Sequence, residues 1–123
     1  MKLTITTGTE EEFFARGKEL ALKLDKGESV KPEFTMTFED PQDLLELVTT
    51  AKLNIFMTAK AEPGSIADIA RRLHRDRSAV KRDIDKLVDA GLIAIETKPF
   101  HGHGRMKVVS AAADTFRLTA QVG

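Results

Sequence analysis

The sequence predicts an α+β fold: a winged helix-turn-helix carrying a small amino-terminal β-α-β segment. Three observations predict it. Residues 65–109 read helix, tight turn, helix, strand, turn, strand. Residues 1–39 alternate strand, helix and strand signals in too short a span to bury an adequate core alone. Charge divides with the same polarity: 19 basic and 19 acidic residues cancel overall, yet residues 1–50 hold six basic and eleven acidic ones, a net −5. Residues 51–123 therefore carry a net +5, and halves of opposite sign hint at nucleic-acid contact.

The elements follow in order. Leu3 and Ile5 alternate with Lys2, Thr4 and Thr6, a strand pattern that Gly8 breaks. Thr9 to Glu12 has the form of a capping box, and Glu10, Glu11 and Glu12 suit the positive end of a helix dipole. Phe13, Gly17, Leu20, Ala21 and Leu24 then share one helical face, and Gly27 ends the helix. Phe34, Met36 and Phe38 alternate with threonines in a second strand. This segment must pack on the remainder of the chain or on a second copy. The expected seam is at Asp40-Pro41, dividing a dimerisation or partner segment, 1–39, from a DNA-binding domain, 40–123.

Asp40 as N-cap and Pro41 at the first helical position start the next helix. It runs to Glu62-Pro63-Gly64 as one helix, or as two broken near Thr49-Thr50, where β-branched residues weaken the pattern. Ser65 and Asp68 form a short-armed capping box for a helix with Ile66, Ile69, Ala70 and Leu73 inward. After the turn His74-Arg75-Asp76, Asp76 caps a helix with Val80, Ile84, Leu87 and Val88 on one stripe, and Gly91 sits where a left-handed residue ends it. Residues 92–97 and 106–109 read as a hairpin around a turn cluster from Pro99 to Gly104. Phe116 and Leu118 mark a short edge strand.

Composition removes whole classes. The chain has no Cys, hence no disulfide, thiolate metal site or cysteine nucleophile, which fits a cytoplasmic setting. No apolar run approaches the roughly 20 residues of a membrane span, and no signal-peptide stretch follows Met1. Trp and Tyr are absent, which disfavours readers of single strands that work by base stacking. No nucleophile–base arrangement or phosphate-binding glycine loop stands out, so neither an enzyme nor a cofactor site is expected.

The helix-turn-helix carries the functional reading. Its helices must cross closely, and Ala70 supplies the small residue. With Val80 and Ile84 inward, Arg77, Ser78, Lys81, Arg82 and Asp85 are left outward, on a helix end suited to the major groove. There Arg or Lys can donate to guanine O6 and N7. From Arg71 to Lys86 there are seven basic and three acidic residues, Arg75 among the former. Lys98, His101, His103, Arg105 and Lys107 place further donors on the wing, about 98–105, for minor-groove or backbone contact.

The strings Ile66-Ala67-Asp68-Ile69-Ala70-Arg71-Arg72-Leu73, Asp76-Arg77-Ser78-Ala79-Val80-Lys81-Arg82-Asp83-Ile84 and Lys86-Leu87-Val88-Asp89-Ala90-Gly91-Leu92-Ile93 resemble MarR-type winged-helix transcriptional regulators. The resemblance covers about half the chain. It implies a homodimer on a pseudo-palindromic operator, acting as a repressor, with Arg77, Ser78, Lys81 and Arg82 reading DNA. The β-α-β segment departs from the long terminal helices through which that family dimerises. The whole chain also resembles a subgroup of small MarR-like proteins, some of which look like antitoxins paired with a small toxin of the TumE type. The acidic segment would then take a basic partner.

Plainer readings stand beside these. Asp85 follows Lys81 by four residues and Asp89 follows Asp85 by four, so part of this face is open to ordinary charge pairing. His101-Gly102-His103 lacks a third metal ligand and reads better as a polar wing tip. The three glutamates are explained as first-turn acids. Phe13, Phe14, Phe34 and Phe38 are expected in a small core joining the β-α-β segment to its neighbour.

Overall fold

A computed structural model describes residues 2–28, 33–100, 102 and 104–122. The chain divides into two units, the first formed by 1–46 with 115–123 and the second by 47–114.

In the first unit, strands β1 (Lys2–Thr7) and β2 (Glu33–Phe38) flank helix α1 (Glu10–Asp25) in sequence, as expected. Both strands run parallel, Leu3 beside Phe34 and Ile5 beside Met36. The third strand (Thr115–Leu118) comes from the far end of the described chain and pairs parallel to the other side of β1. Thr119 N donates to Ile5 O at 2.9 Å and Gln121 N to Thr7 Oγ1 at 2.8 Å, which prolongs that clasp. Helix α2 (Pro41–Leu47) starts under Asp40, whose carboxylate accepts from Gln42 N at 2.9 Å.

Strand alternation sorts this sheet into two faces. Leu3 and Ile5 lie on one and are fully buried; Thr4, Thr6, Thr35 and Thr37 lie on the other. Helix α1 meets the threonine face, with Arg16 donating to Thr37 Oγ1 at 2.6 Å. It has no buried residue. Phe13 (48% exposed) and Phe14 (63%) are therefore surface residues, not the joining core expected of them, because the apolar side of the sheet faces away from the helix. Phe38 is half-buried, and the side chain of Phe34 lies outside the described ones. Thr9 Oγ1 accepts from Glu12 N at 3.2 Å, so α1 is capped; among the described residues only that half of the expected box forms.

The second unit contains α3 (Thr50–Ala61), α4 (Ile66–Leu73), α5 (Arg77–Asp89) and two hairpin strands. These are β3 (Ile93–Phe100) and β4 (Gly104–Ala111); the strand at Thr115–Leu118 is thus β5. The long apolar stretch after Asp40 is two helices, with Thr49 Oγ1 capping α3 at Lys52 N, 3.2 Å. Ile55, Ala59, Ile69, Val80, Ile84, Leu87, Leu92 and Val109 are buried to within about a hundredth of their surface and form the core.

The hairpin is longer than the sequence suggests, running from Ile93 opposite Ala111 to Phe100 opposite Gly104. Pro99, Phe100 and Gly104, expected in the turn, belong to the strands. Gly64, expected to end a helix, instead pairs with Val109 as a third, one-residue rung (N–O distances 2.7 and 3.1 Å). Helix, turn, helix and hairpin in this order are a winged helix-turn-helix.

Candidate nucleic-acid interface

Each end of the helix-turn-helix is fixed by local chemistry. Ser65 and Asp68 form a reciprocal capping box at α4: Asp68 N donates to Ser65 Oγ at 3.0 Å and Ser65 N to Asp68 Oδ2 at 3.1 Å. The backbone N–H and hydroxyl of Ser65 hold the Asp68 carboxyl below its ordinary range, with Arg71 adding a smaller effect in the same sense. Helix α4 ends at His74, whose φ of 53° makes it the one non-glycine residue in the left-handed region among the described residues. Arg75 N returns to Ala70 O at 3.0 Å, closing the end in a Schellman-type turn. Asp76 then caps α5, its carboxylate accepting from Ser78 N at 3.1 Å and Ala79 N at 3.3 Å. Gly91, with φ 82°, stops α5 where a side chain would be strained.

These caps set the azimuth of α5. Val80, Ile84 and Leu87 anchor its inner stripe, and Ala70 at the crossing is 4% exposed. Arg77, Ser78, Lys81 and Arg82 are all exposed on the first two turns. Their charges are not equally free. Lys81 Nζ lies 3.0 Å from Asp85 Oδ2, an i,i+4 pair, as the spacing suggested. Among the described residues, Arg77 and Arg82 have no acidic partner within ion-pair distance.

Arg75 is placed differently. Its guanidinium binds Asp83 at 2.9 Å, with both side chains under a third exposed, and its Nη1 is buried without a hydrogen-bond partner. Arg75 therefore ties the turn to the body of α5 and does not stand on the solvent face with the other four. Arg72 also braces the motif, donating to Glu62 O at 2.6 Å across the α3–α4 connection.

On the wing, alternation separates the expected donors. Arg105 pairs opposite Pro99 and Lys107 opposite Thr97, so these two cations share one face. Lys98 pairs opposite Met106 on the other face, 3.7 Å from Glu96. His101 and His103 lie outside the described residues. Among the described residues, no group of three potential ligands is placed to hold a metal, and no helix is long and apolar enough to cross a membrane.

No curated protein is similar to this chain in sequence. Solved structures similar to it include a "possible transcriptional regulator" from Methanosarcina mazei Go1, at 18% identity and a TM-score of 0.49, covering 63% of this chain and 68% of that one. A MarR family transcriptional regulator from Silicibacter pomeroyi is 20% identical at a TM-score of 0.48, covering 85% of this chain and 64% of that one. Lactococcus lactis ZitR, solved as a point mutant in complex with DNA, is 16% identical at a TM-score of 0.47, covering 88% of this chain and 69% of that one. The family model HVO_A0114 matches residues 47–118, which takes in α3, the helix-turn-helix, the wing and β5. With more than half of its length matched, the chain belongs to the HVO_A0114 family.

Proposed function

We propose that the chain is a sequence-specific regulator of transcription that binds double-stranded DNA and acts as a repressor. The first turns of α5 enter the major groove, and the wing meets the minor groove or the backbone. Two copies occupy a pseudo-palindromic site.

One observation carries the reading. Arg77 and Arg82 stand exposed on the outer side of a helix whose inner side is anchored by fully buried Val80 and Ile84. The helix that carries them is thus fixed, and among the described residues neither has an acidic partner within ion-pair distance. Ser78, beside Arg82 on the same outer row, suits phosphate or base contact. Lys81 contributes to the field, with Asp85 reducing its share. Arg105 and Lys107 supply the wing from a single face, with Lys98 on the reverse. Arg75 serves by holding the turn.

Fluorescence anisotropy on duplex from the chain's own upstream region tests this. Each neutralised phosphate contributes about −0.9 to the log–log salt slope. Arg77→Ala and Arg82→Ala each cost about 1–3 kcal/mol of operator affinity if the residue reads a base. Binding indifferent to salt, or operator affinity unchanged in both variants, would sink the assignment.

A further inference from the structure

Gly64 stands between the wing and α4. Its backbone makes both bonds of the rung to Val109, a residue of β4 with no exposed surface. The place of its missing side chain lies against α4. A Cβ there would stand 3.0 Å from Arg72 Nη2, 3.1 Å from Asp68 Cβ and 3.2 Å from Asp68 Oδ2. Each of these neighbours is already committed. Arg72 donates to Glu62 O at 2.6 Å, and Asp68 Oδ2 accepts from Ser65 N at 3.1 Å in the capping box. Gly64 is not among the glycines of positive φ, so its conformation suits any residue. What requires glycine here is the close approach of strand and helix.

The rung is also the root of the wing cations. Arg105, Lys107 and Val109 alternate along β4 and so share a face. Arg105 lies four positions from the rung, about 13 Å along the strand at about 3.3 Å per residue. A tilt forced at the root therefore grows toward the cations.

We propose that Gly64 is a positioning residue for the wing. By letting β4 close onto the Asp68 and Arg72 side of α4, it sets Arg105 and Lys107 at one distance from the outer side of α5. This rests on the reading that α5 and the wing hold one duplex together. Two contact elements held at a matching spacing bind jointly, and a mis-set spacing loses the joint engagement.

Two measurements on the full chain test this. The first needs no DNA. The chain has no Cys, so Lys86→Cys on α5 and Lys107→Cys on the wing, both exposed positions, take a single pair of spin labels. Double electron–electron resonance reads one narrow distance with Gly64 in place. Gly64→Ala shifts or broadens it, and Gly64→Val does so further. Thr49→Ala, which loosens the cap at the far end of α3, leaves it in place and separates wing placement from a general loss of stability. Circular dichroism confirms that each variant is folded, and Gly64→Ala decides alone where Gly64→Val is not. A distance unchanged in the folded variants overturns the proposal.

The second measurement follows duplex affinity across a salt series. Arg105 and Lys107 each contribute about −0.9 to the log–log slope, so replacing both by Ala removes about 1.8 of it. Gly64→Ala loses part of that share, and the wing substitutions then cost less than in the wild type. Arg77→Ala lowers affinity by the same factor whether residue 64 is Gly or Ala. Wing substitutions that cost the same in both backgrounds overturn the proposal. A wild type that binds no duplex removes the DNA reading, while the spin-label distance still decides the placement of the wing.

Discussion

Helices α1 and α5 look alike as sequence and differ as structure. Each has an N-cap side chain, a polar face and an apolar stripe at helical spacing. Helix α5 buries Val80, Ile84 and Leu87 of its stripe, the first two at 0% exposure, with Val88 half-buried beside them. Helix α1 has no buried residue, because the sheet surface beneath it is threonine, to which Arg16 donates through Thr37 Oγ1. Spacing states which residues share a side of a helix. What lies against that side is decided by the partner, here by which face of β1 carries Leu3 and Ile5.

Substitutions sharpen the contrast. The largest effect is expected from Ile84→Ala, which empties a fully buried site and costs about 2–5 kcal/mol. Leu20→Ala on α1, 43% exposed, should shift unfolding by within about 0.5 kcal/mol, measured by urea denaturation of dilute monomer. Equal losses at the two sites would erase the distinction. Next comes Asp83→Ala, which strands the Arg75 guanidinium. A fully buried broken pair costs about 3–5 kcal/mol, and partial exposure of both groups here reduces the loss to about 1–2 kcal/mol. Calorimetry of D83A, with D83N for comparison, reads it.

The helix caps come third. Asp76→Ala removes two acceptor contacts at α5 and costs about 1 kcal/mol of global stability. Thr9→Ala should instead fray α1 locally, seen as faster amide exchange over residues 10–13 with little change in the melting midpoint. The smallest effect is a pH dependence. The Asp68 carboxyl is lowered in the folded state, so its contribution is present above the unfolded value near 3.9 and fades as pH falls through the lower folded value. Asp68→Asn should flatten that part of the acid limb. An unchanged limb would show that the Ser65 contacts do not act through the charge.

Legibility in the sequence followed locality. The caps at Ser65 and Asp76 and the stop at Gly91 rest on neighbours within a few residues and form as read, while the Thr9 box forms by half and the α5 stripe buries Val80, Ile84 and Leu87 but leaves Val88 half-buried. Features joining distant segments were less legible. The one-residue rung between Gly64 and Val109 has no pattern of its own, since glycine offers only backbone. The inward turn of Arg75 depends on Asp83, and a string of basic residues does not reveal which one bends back. The expected seam at Asp40 gave α2 and the last strand to the second domain; the structure groups 1–46 with 115–123. The reason is the pairing of Lys2 with Thr115, which no local signal announces. For the candidate site, the outward set on α5 was readable from period and charge, whereas the split of the wing cations between two faces required the hairpin register.

Strand β1 takes partners far apart in the sequence: β2 from residues 33–38 and β5 from residues 115–118. In chain order β1 and β2 precede the whole of the second unit, residues 47–114, and β5 follows it directly. The first unit must hold one edge of β1 open, with Leu3 and Ile5 unfinished, until the last strand arrives. Domains that wait in this way are the ones prone to pair an open edge with a neighbouring nascent chain.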